Sequence, residues 1–150
     1  MSPDHTYMLE KARNYCAYQE RCLFDVQKKL ESWMVSEEVS KKVLKELVKE
    51  GFLNEERFAS VFATGKLRHN KWGKNKIIYA LRQKQVPDIY IQIAVDSLDE
   101  EEYLGVLKTV ISAKQTPETQ SYKDQAKLVA YAQQKGFQPI LAWKVVKGEI

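Results

Sequence analysis

The feature that most constrains this chain is an apolar pattern that returns every 51 residues. Under that shift Leu30, Leu81 and Ala132 superimpose, as do Val35, Val86 and Phe137, then Val39, Tyr90 and Leu141, then Val43, Ala94 and Val145. A fixed period of this size marks a repeat array, whose units bury too little surface alone and must stack on their neighbours. Within each copy, over 28–47, 79–98 and 130–149, the apolar spacing is that of a helix, a turn of about three residues and a second helix. Adding the helix before each pair gives an all-α fold of three tandem three-helix repeats, assigned to 1–50, 51–98 and 99–150.

Local signals fill in this frame. Val39, Val43, Leu44, Leu47 and Val48 fall on one helix face. Gly51 suits a helix C-cap, after which Phe52 and Leu53 pack across a junction. Asn54 then caps a helix whose first turn carries Glu55 and Glu56 and whose core face is Phe58, Val61, Phe62 and Leu67. Ile77, Tyr79, Ala80 and Leu81 belong to the next helix. Ile89, Ile93, Ala94 and Leu98 belong to the one after, near whose start Pro87 sits. The alternation Ile89-Tyr90-Ile91-Gln92-Ile93 is too short to make a strand between helical flanks. A last pair reads as helices over 122–135 and 139–147, broken at Gly136. Residues 99–102 read as an acidic helix start. At the turn, Gly136 matches Gln85 and Met34 in the earlier repeats, so those two residues either carry a small strain or turn differently. The polar segment 114–122, with Pro117, is expected to be a hinge that sets the third repeat apart.

Charge is distributed unevenly. The net charge is only +4, but from Arg57 to Pro87 there is no Asp or Glu, while Asp96, Asp99, Glu100, Glu101 and Glu102 follow as an acidic cluster. This predicts a basic face that meets something anionic, made of Arg68, Lys71, Trp72, Lys74, Lys76, Arg82 and Lys84. The competing reading is a solvated helix face whose ionic partners lie elsewhere in the fold. Lys74 and Lys76 open a helix, where the dipole disfavours cations unless an anion or other compensation is close. Gly73 would let the backbone approach a partner closely. Trp72 either stacks on a base, anchors a protein interface or plugs the junction between repeats. Lys144 and Lys147 extend the basic strip or complement the last helix's dipole. Arg57 and Phe58 read as structural, Arg57 pairing with Glu50 or Glu56 or capping a neighbouring helix.

No enzyme is visible. There is no glycine-rich phosphate loop, no nucleophile beside a base and no catalytic residue set. No metal or other cofactor is expected, since His5 and His69 lack partners at ligand spacing. Cys16 and Cys22 are expected to stay reduced, Cys16 as a small apolar contact. No apolar run approaches the ~20 residues of a membrane span and residues 1–13 lack a secretory core, so the chain is expected to be cytoplasmic, and a monomer.

Specific motifs carry a resemblance. Gly51-Phe52-Leu53-Asn54-Glu55-Glu56-Arg57-Phe58-Ala59, then Lys71-Trp72-Gly73-Lys74-Asn75-Lys76-Ile77 and Leu81-Arg82-Gln83-Lys84-Gln85-Val86, resemble consecutive blocks of the RecX family. Tyr15-Cys16-Ala17-Tyr18-Gln19-Glu20-Arg21-Cys22 looks like one branch's form of the N-terminal region. The resemblance spans residues 8–148 and is strongest over 51–86. It departs from the family at Met34 and Gln85, where a turn glycine is common, and in a loosely matching third repeat. It implies an elongated, curved array that binds RecA and lodges in the groove of the RecA–DNA filament. It also implies suppression of RecA's ATPase, strand-exchange and coprotease activities, modulating recombinational repair and the SOS response, with some members binding DNA directly. Two other readings stay open on the residues alone: a stand-alone DNA-binding helix-turn-helix protein, and a protein-only helical scaffold.

Overall fold

Four of the helices begin at a polar side chain that caps their first turn. Asn54 Oδ1 accepts the Arg57 N–H at 2.9 Å, Asp99 the Glu102 N–H at 2.7 Å, and the Ser36 and Ser121 hydroxyls the N–H groups of Val39 and Asp124. The structure, a computed structural model, describes residues 3–118 and 121–150. Among the described residues it contains nine α-helices and no strand. The first repeat holds α1 (Pro3–Tyr18), α2 (Leu23–Ser32) and α3 (Glu37–Lys49); the second α4 (Glu55–Asn70), α5 (Lys74–Gln83) and α6 (Asp88–Asp96); the third α7 (Glu100–Ser112), α8 (Tyr122–Gln134) and α9 (Pro139–Val146). The stretch with a strand-like alternation is α6.

The turn after α2, α5 and α8 is the same in all three repeats. Met34, Gln85 and Gly136 have φ of 62°, 59° and 101°. Each donates its N–H three residues back, to Glu31, Arg82 and Gln133, while Val35, Val86 and Phe137 donate five back, to Leu30, Leu81 and Ala132. This is a Schellman ending, which uses a left-handed residue to satisfy the last carbonyls. So Met34 and Gln85 carry the strain rather than a different turn. Met34 is 90% exposed and packs on nothing that a glycine would lose. Met34→Gly is therefore expected to stabilise the protein by about 0.5 kcal/mol, the left-handed cost of a side chain less the extra freedom glycine gains on unfolding. Urea denaturation measures this, and a destabilised variant would contradict it.

Buried side chains form two cores rather than three. Leu9, Ala12, Val26, Leu30, Val43 and Leu47 make a core for the first repeat, which Leu53 joins from across the junction. A second, continuous core runs through both later repeats, including Phe58, Leu67, Ile77, Leu107, Leu128 and Phe137; Cys22 reaches into it from the first. The expected hinge is thus misplaced. The 114–122 segment connects α7 to α8 inside the third repeat, and the break between cores lies between repeats one and two. Thr119 and Gln120 of that segment lie outside the described residues. Several apolar residues expected inside are exposed: Val48, Val61, Tyr79, Ile89 and Ile93. In α6 the buried residues are Ile91, Ala94 and Val95. Both cysteines are buried and free, and burial pushes their thiols up, Cys16 to about 11 and Cys22 to about 12.

Candidate functional site

The acid-free segment 57–87 divides into two groups with different surroundings. In one, cations pair with carboxylates of the chain itself. Arg57 Nε lies 2.8 Å from Glu20, and its guanidinium also donates to the Gly51 and Phe52 carbonyls at the end of α3. The capping role stands, but Glu20 replaces Glu50 and Glu56 as the partner, because Glu50 is held by Arg13 from α1. Arg68 grips Glu102 of α7 through two bonds of 2.7 and 3.1 Å and holds that carboxyl below the ordinary range. Lys84 reaches Asp25 of α2 at 2.7 Å, and Arg82 pairs with Asp88 at 3.3 Å. Arg57 and Lys84 therefore bind repeat two to repeat one, and Arg68 binds it to repeat three.

The second group gathers around Trp72. The indole lies in the link between α4 and α5, half-buried against the second core. Lys71 ends α4 with φ 55°, and the turn it makes folds Trp72 back so that its N–H donates to the Lys66 carbonyl at 3.1 Å. Lys66 thereby sets its ammonium 4.8 Å from the ring centroid, and Lys76, four residues beyond Trp72, sets another at 4.8 Å. Lys71 is exposed beside them. Lys74 is half-buried, 4.9 Å from the Tyr103 ring. Among the described residues none of these four lysines has a carboxylate at ion-pair distance. Of the predicted basic face, Trp72 and Lys76 come together with Lys71 exposed next to them in the chain, Lys74 turns away to Tyr103, and Arg68, Arg82 and Lys84 are engaged internally. Lys66, a cation of the same acid-free segment but not of the predicted face, joins the cluster because the left-handed Lys71 folds Trp72 back toward it.

The N-terminus of α5 is closed by the third repeat. Gly73 N–H donates to the Lys135 carbonyl at 2.8 Å and Asn75 N–H to the Gly136 carbonyl at 2.9 Å, while Lys74 N–H donates to the Tyr103 hydroxyl at 2.9 Å. That hydroxyl donates in turn to Gln138 Oε1 at 2.6 Å, and burial pushes its pKa up to about 12. The carbonyl end of α8 thus supplies compensation for Lys74 and Lys76 at a helix start from within the fold. The partner that Gly73 approaches is the chain's own Gly136: a Cβ on either residue would fall far inside contact distance of the other strand of backbone.

Comparisons with known proteins agree with this architecture. Residues 54–95 match the family described as "RecX, second three-helix domain". Regulatory protein RecX of Lactobacillus johnsonii is 29% identical over 143 residues, covering 94% of this chain and 53% of that protein. Its counterpart in Lactobacillus gasseri is 28% identical over 120 residues, covering 79% of this chain and 44% of its own length. The chain thus spans about half the length of these curated relatives. The crystal structure of RecX from Lactobacillus salivarius superimposes with a TM-score of 0.87 at 19% identity, covering 99% of this chain and 97% of that one. A second crystal structure, of a regulatory protein RecX, gives 0.84 at 20% identity over 97% of this chain and 72% of that one. These two likenesses speak for the fold. The matched second domain and a sequence similarity that runs along nearly the whole chain add a likeness in sequence: this chain is similar to regulatory protein RecX, and most specifically so in its second repeat.

Proposed function

We propose that this chain binds RecA and the RecA–DNA filament and restrains the filament's ATPase, strand-exchange and coprotease activities, so modulating recombinational repair and the SOS response. The chemistry is occupancy of a groove rather than catalysis, carried out in the cytoplasm by a monomer that needs no cofactor. Its working units are 1–50, 51–98 and 99–150. The observation that carries the reading is the group of lysines around Trp72, which among the described residues no carboxylate neutralises. A filament groove presents acidic protein and phosphate together, and fixed ammoniums meet both through charge-assisted contacts and counterion release. The name of the relatives, regulatory protein RecX, fits a protein that acts on another protein's activity.

The stand-alone helix-turn-helix reading has less support. The second helix of such a motif reads bases in the major groove. Here that position in the basic repeat is α6, whose sequence Asp88-Ile89-Tyr90-Ile91-Gln92-Ile93-Ala94-Val95-Asp96 carries no cation and an acid at each end. The deciding experiment is a titration of this protein into RecA's DNA-dependent ATPase. Amounts well below RecA are expected to slow hydrolysis. No slowing at any ratio with the cognate RecA would sink the proposal, and sequence-selective duplex binding that persists without RecA would revive the alternative.

A further inference from the structure

A second cationic and aromatic surface lies on the first repeat, away from the segment 57–87. Along α1, Tyr7, Lys11, Tyr15 and Tyr18 follow at spacings of four, four and three residues, so they share one helix face over about 16 Å. Arg21 in the next turn and Lys29 and Trp33 at the end of α2 border that face. Lys11 Nζ lies 4.3 Å from the Trp33 ring centroid and 5.8 Å from that of Tyr7. The Arg21 guanidinium lies 3.8 Å from the Tyr15 centroid and 5.9 Å from that of Tyr18, and Lys29 is 5.4 Å from Tyr15. Tyr15 and Trp33 meet edge to face at 6.2 Å. One end of the face is the ring of Tyr18, 83% exposed, and the other is Tyr7, 61% exposed.

Several acids of the first repeat are already engaged by other cations. Glu10 and Glu50 are taken by Arg13, Glu20 by Arg57, Asp25 by Lys84 and Glu31 by Lys28. Among the described residues Lys11, Arg21 and Lys29 form no ion pair; rings hold them in place, and Arg21 Nε also donates to the Tyr15 carbonyl at 3.2 Å. Cations fixed at intervals beside open tyrosine faces suit a ligand that alternates anions with flat apolar rings. Single-stranded nucleic acid is such a ligand, since its bases are free to stack while its phosphates run alongside. A duplex hides those base faces, and an acidic peptide has no use for the tyrosines.

We infer that the α1–α2 face built from Tyr7, Lys11, Tyr15, Tyr18, Arg21, Lys29 and Trp33 is a binding site for single-stranded nucleic acid. Lys11, Arg21 and Lys29 take backbone phosphates, and Tyr18 and Tyr7 stack on bases at its two ends. The site needs no RecA, so its test stands apart from the ATPase titration.

The test is fluorescence anisotropy of a labelled oligodeoxythymidine strand with the full chain and no RecA. Joint replacement Lys11→Gln, Arg21→Gln and Lys29→Gln is expected to weaken binding at least about tenfold and to flatten the log-affinity against log-salt slope by about 2, at roughly 0.7 per phosphate contact. Tyr7→Leu with Tyr18→Leu, at rings that the fold leaves exposed, is expected to weaken it about fivefold or more with the slope unchanged. Circular dichroism checks folding, and the tyrosine pair decides if the triple variant does not fold. Wild-type affinity in either folded variant overturns the inference. So does competition by poly-glutamate as effective, charge for charge, as that by the unlabelled strand, which would assign the face to an acidic protein instead.

Discussion

Gly136→Ala is expected to destabilise the protein by about 3–5 kcal/mol, and Gly73→Ala by a similar amount. Two costs combine at Gly136. Its φ of 101° is one that side-chain-bearing residues rarely adopt, worth about 1–3 kcal/mol. A Cβ there would also meet the Lys76 backbone nitrogen and Cβ and the Gly73 carbonyl. These obstacles are mostly backbone, so α8 must withdraw from α5. Withdrawal breaks the Gly73-to-Lys135 and Asn75-to-Gly136 hydrogen bonds, each worth about 1 kcal/mol net. In a domain of this size the loss should lower Tm by roughly 10 °C. The control is Gln85→Ala at the equivalent turn, where φ is 59° and the residue is exposed; under about 1 kcal/mol is expected there. If the two substitutions cost the same in urea denaturation, the close backbone contact is not what joins the repeats.

Joint replacement of Lys66, Lys71 and Lys76 by glutamine is expected to raise the concentration of this protein needed to half-inhibit RecA's ATPase by at least about tenfold at physiological salt. Three charges are removed that, among the described residues, no carboxylate neutralises, and each phosphate or carboxylate contact of this kind is worth about 0.5–1 kcal/mol. Lys74 is left in place because it lies against Tyr103 at the joint between repeats, where a change would confuse docking with binding. Helicity by circular dichroism should not move, since Lys71 and Lys76 are exposed and Lys66 is only part-buried. Arg82→Gln serves as the contrast: Arg82 already has Asp88 and should give a smaller shift. Inhibition that survives the triple replacement would move the contact surface elsewhere on the array.

Much of the helical frame is legible in the amino-acid order because it is local. Asn54 and Asp99 cap the helices they precede, Pro87 marks the start of α6, and the 51-residue period falls on three identical turns even where methionine and glutamine stand for glycine. What stays hidden is set by residues far apart. Val61 and Ile89 have the spacing of a core face, yet each helix here buries a narrow stripe, and only the docking of neighbours decides which edge of it stays wet. The candidate site is half legible for the same reason. Absence of Asp and Glu over 57–87 suggests a free basic face, but Glu20, Asp25 and Glu102 from the flanking repeats claim Arg57, Lys84 and Arg68. Gly73 reads as an approach point, and nothing local says that the approaching backbone is 63 positions further along, at Gly136.

The two joints of the array differ in what they permit a lineage to change. Between repeats two and three, main chain meets main chain, and positions 73 and 136 accept no side chain at all. Between repeats one and two, the positions 51 residues earlier are Cys22 and Gln85, and beside the apolar contacts of Cys22 and Leu53 the joint is made by Glu20, Asp25, Arg57 and Lys84 through their side-chain tips. Long ionic side chains are readily exchanged for others of different reach, so the set of the first repeat against the rest is adjustable by a few surface substitutions. Two glycines lock the later joint, whereas the earlier one is an adjustable fitting, and descendants of this chain have one place at which to retune the array to a new partner without refolding it.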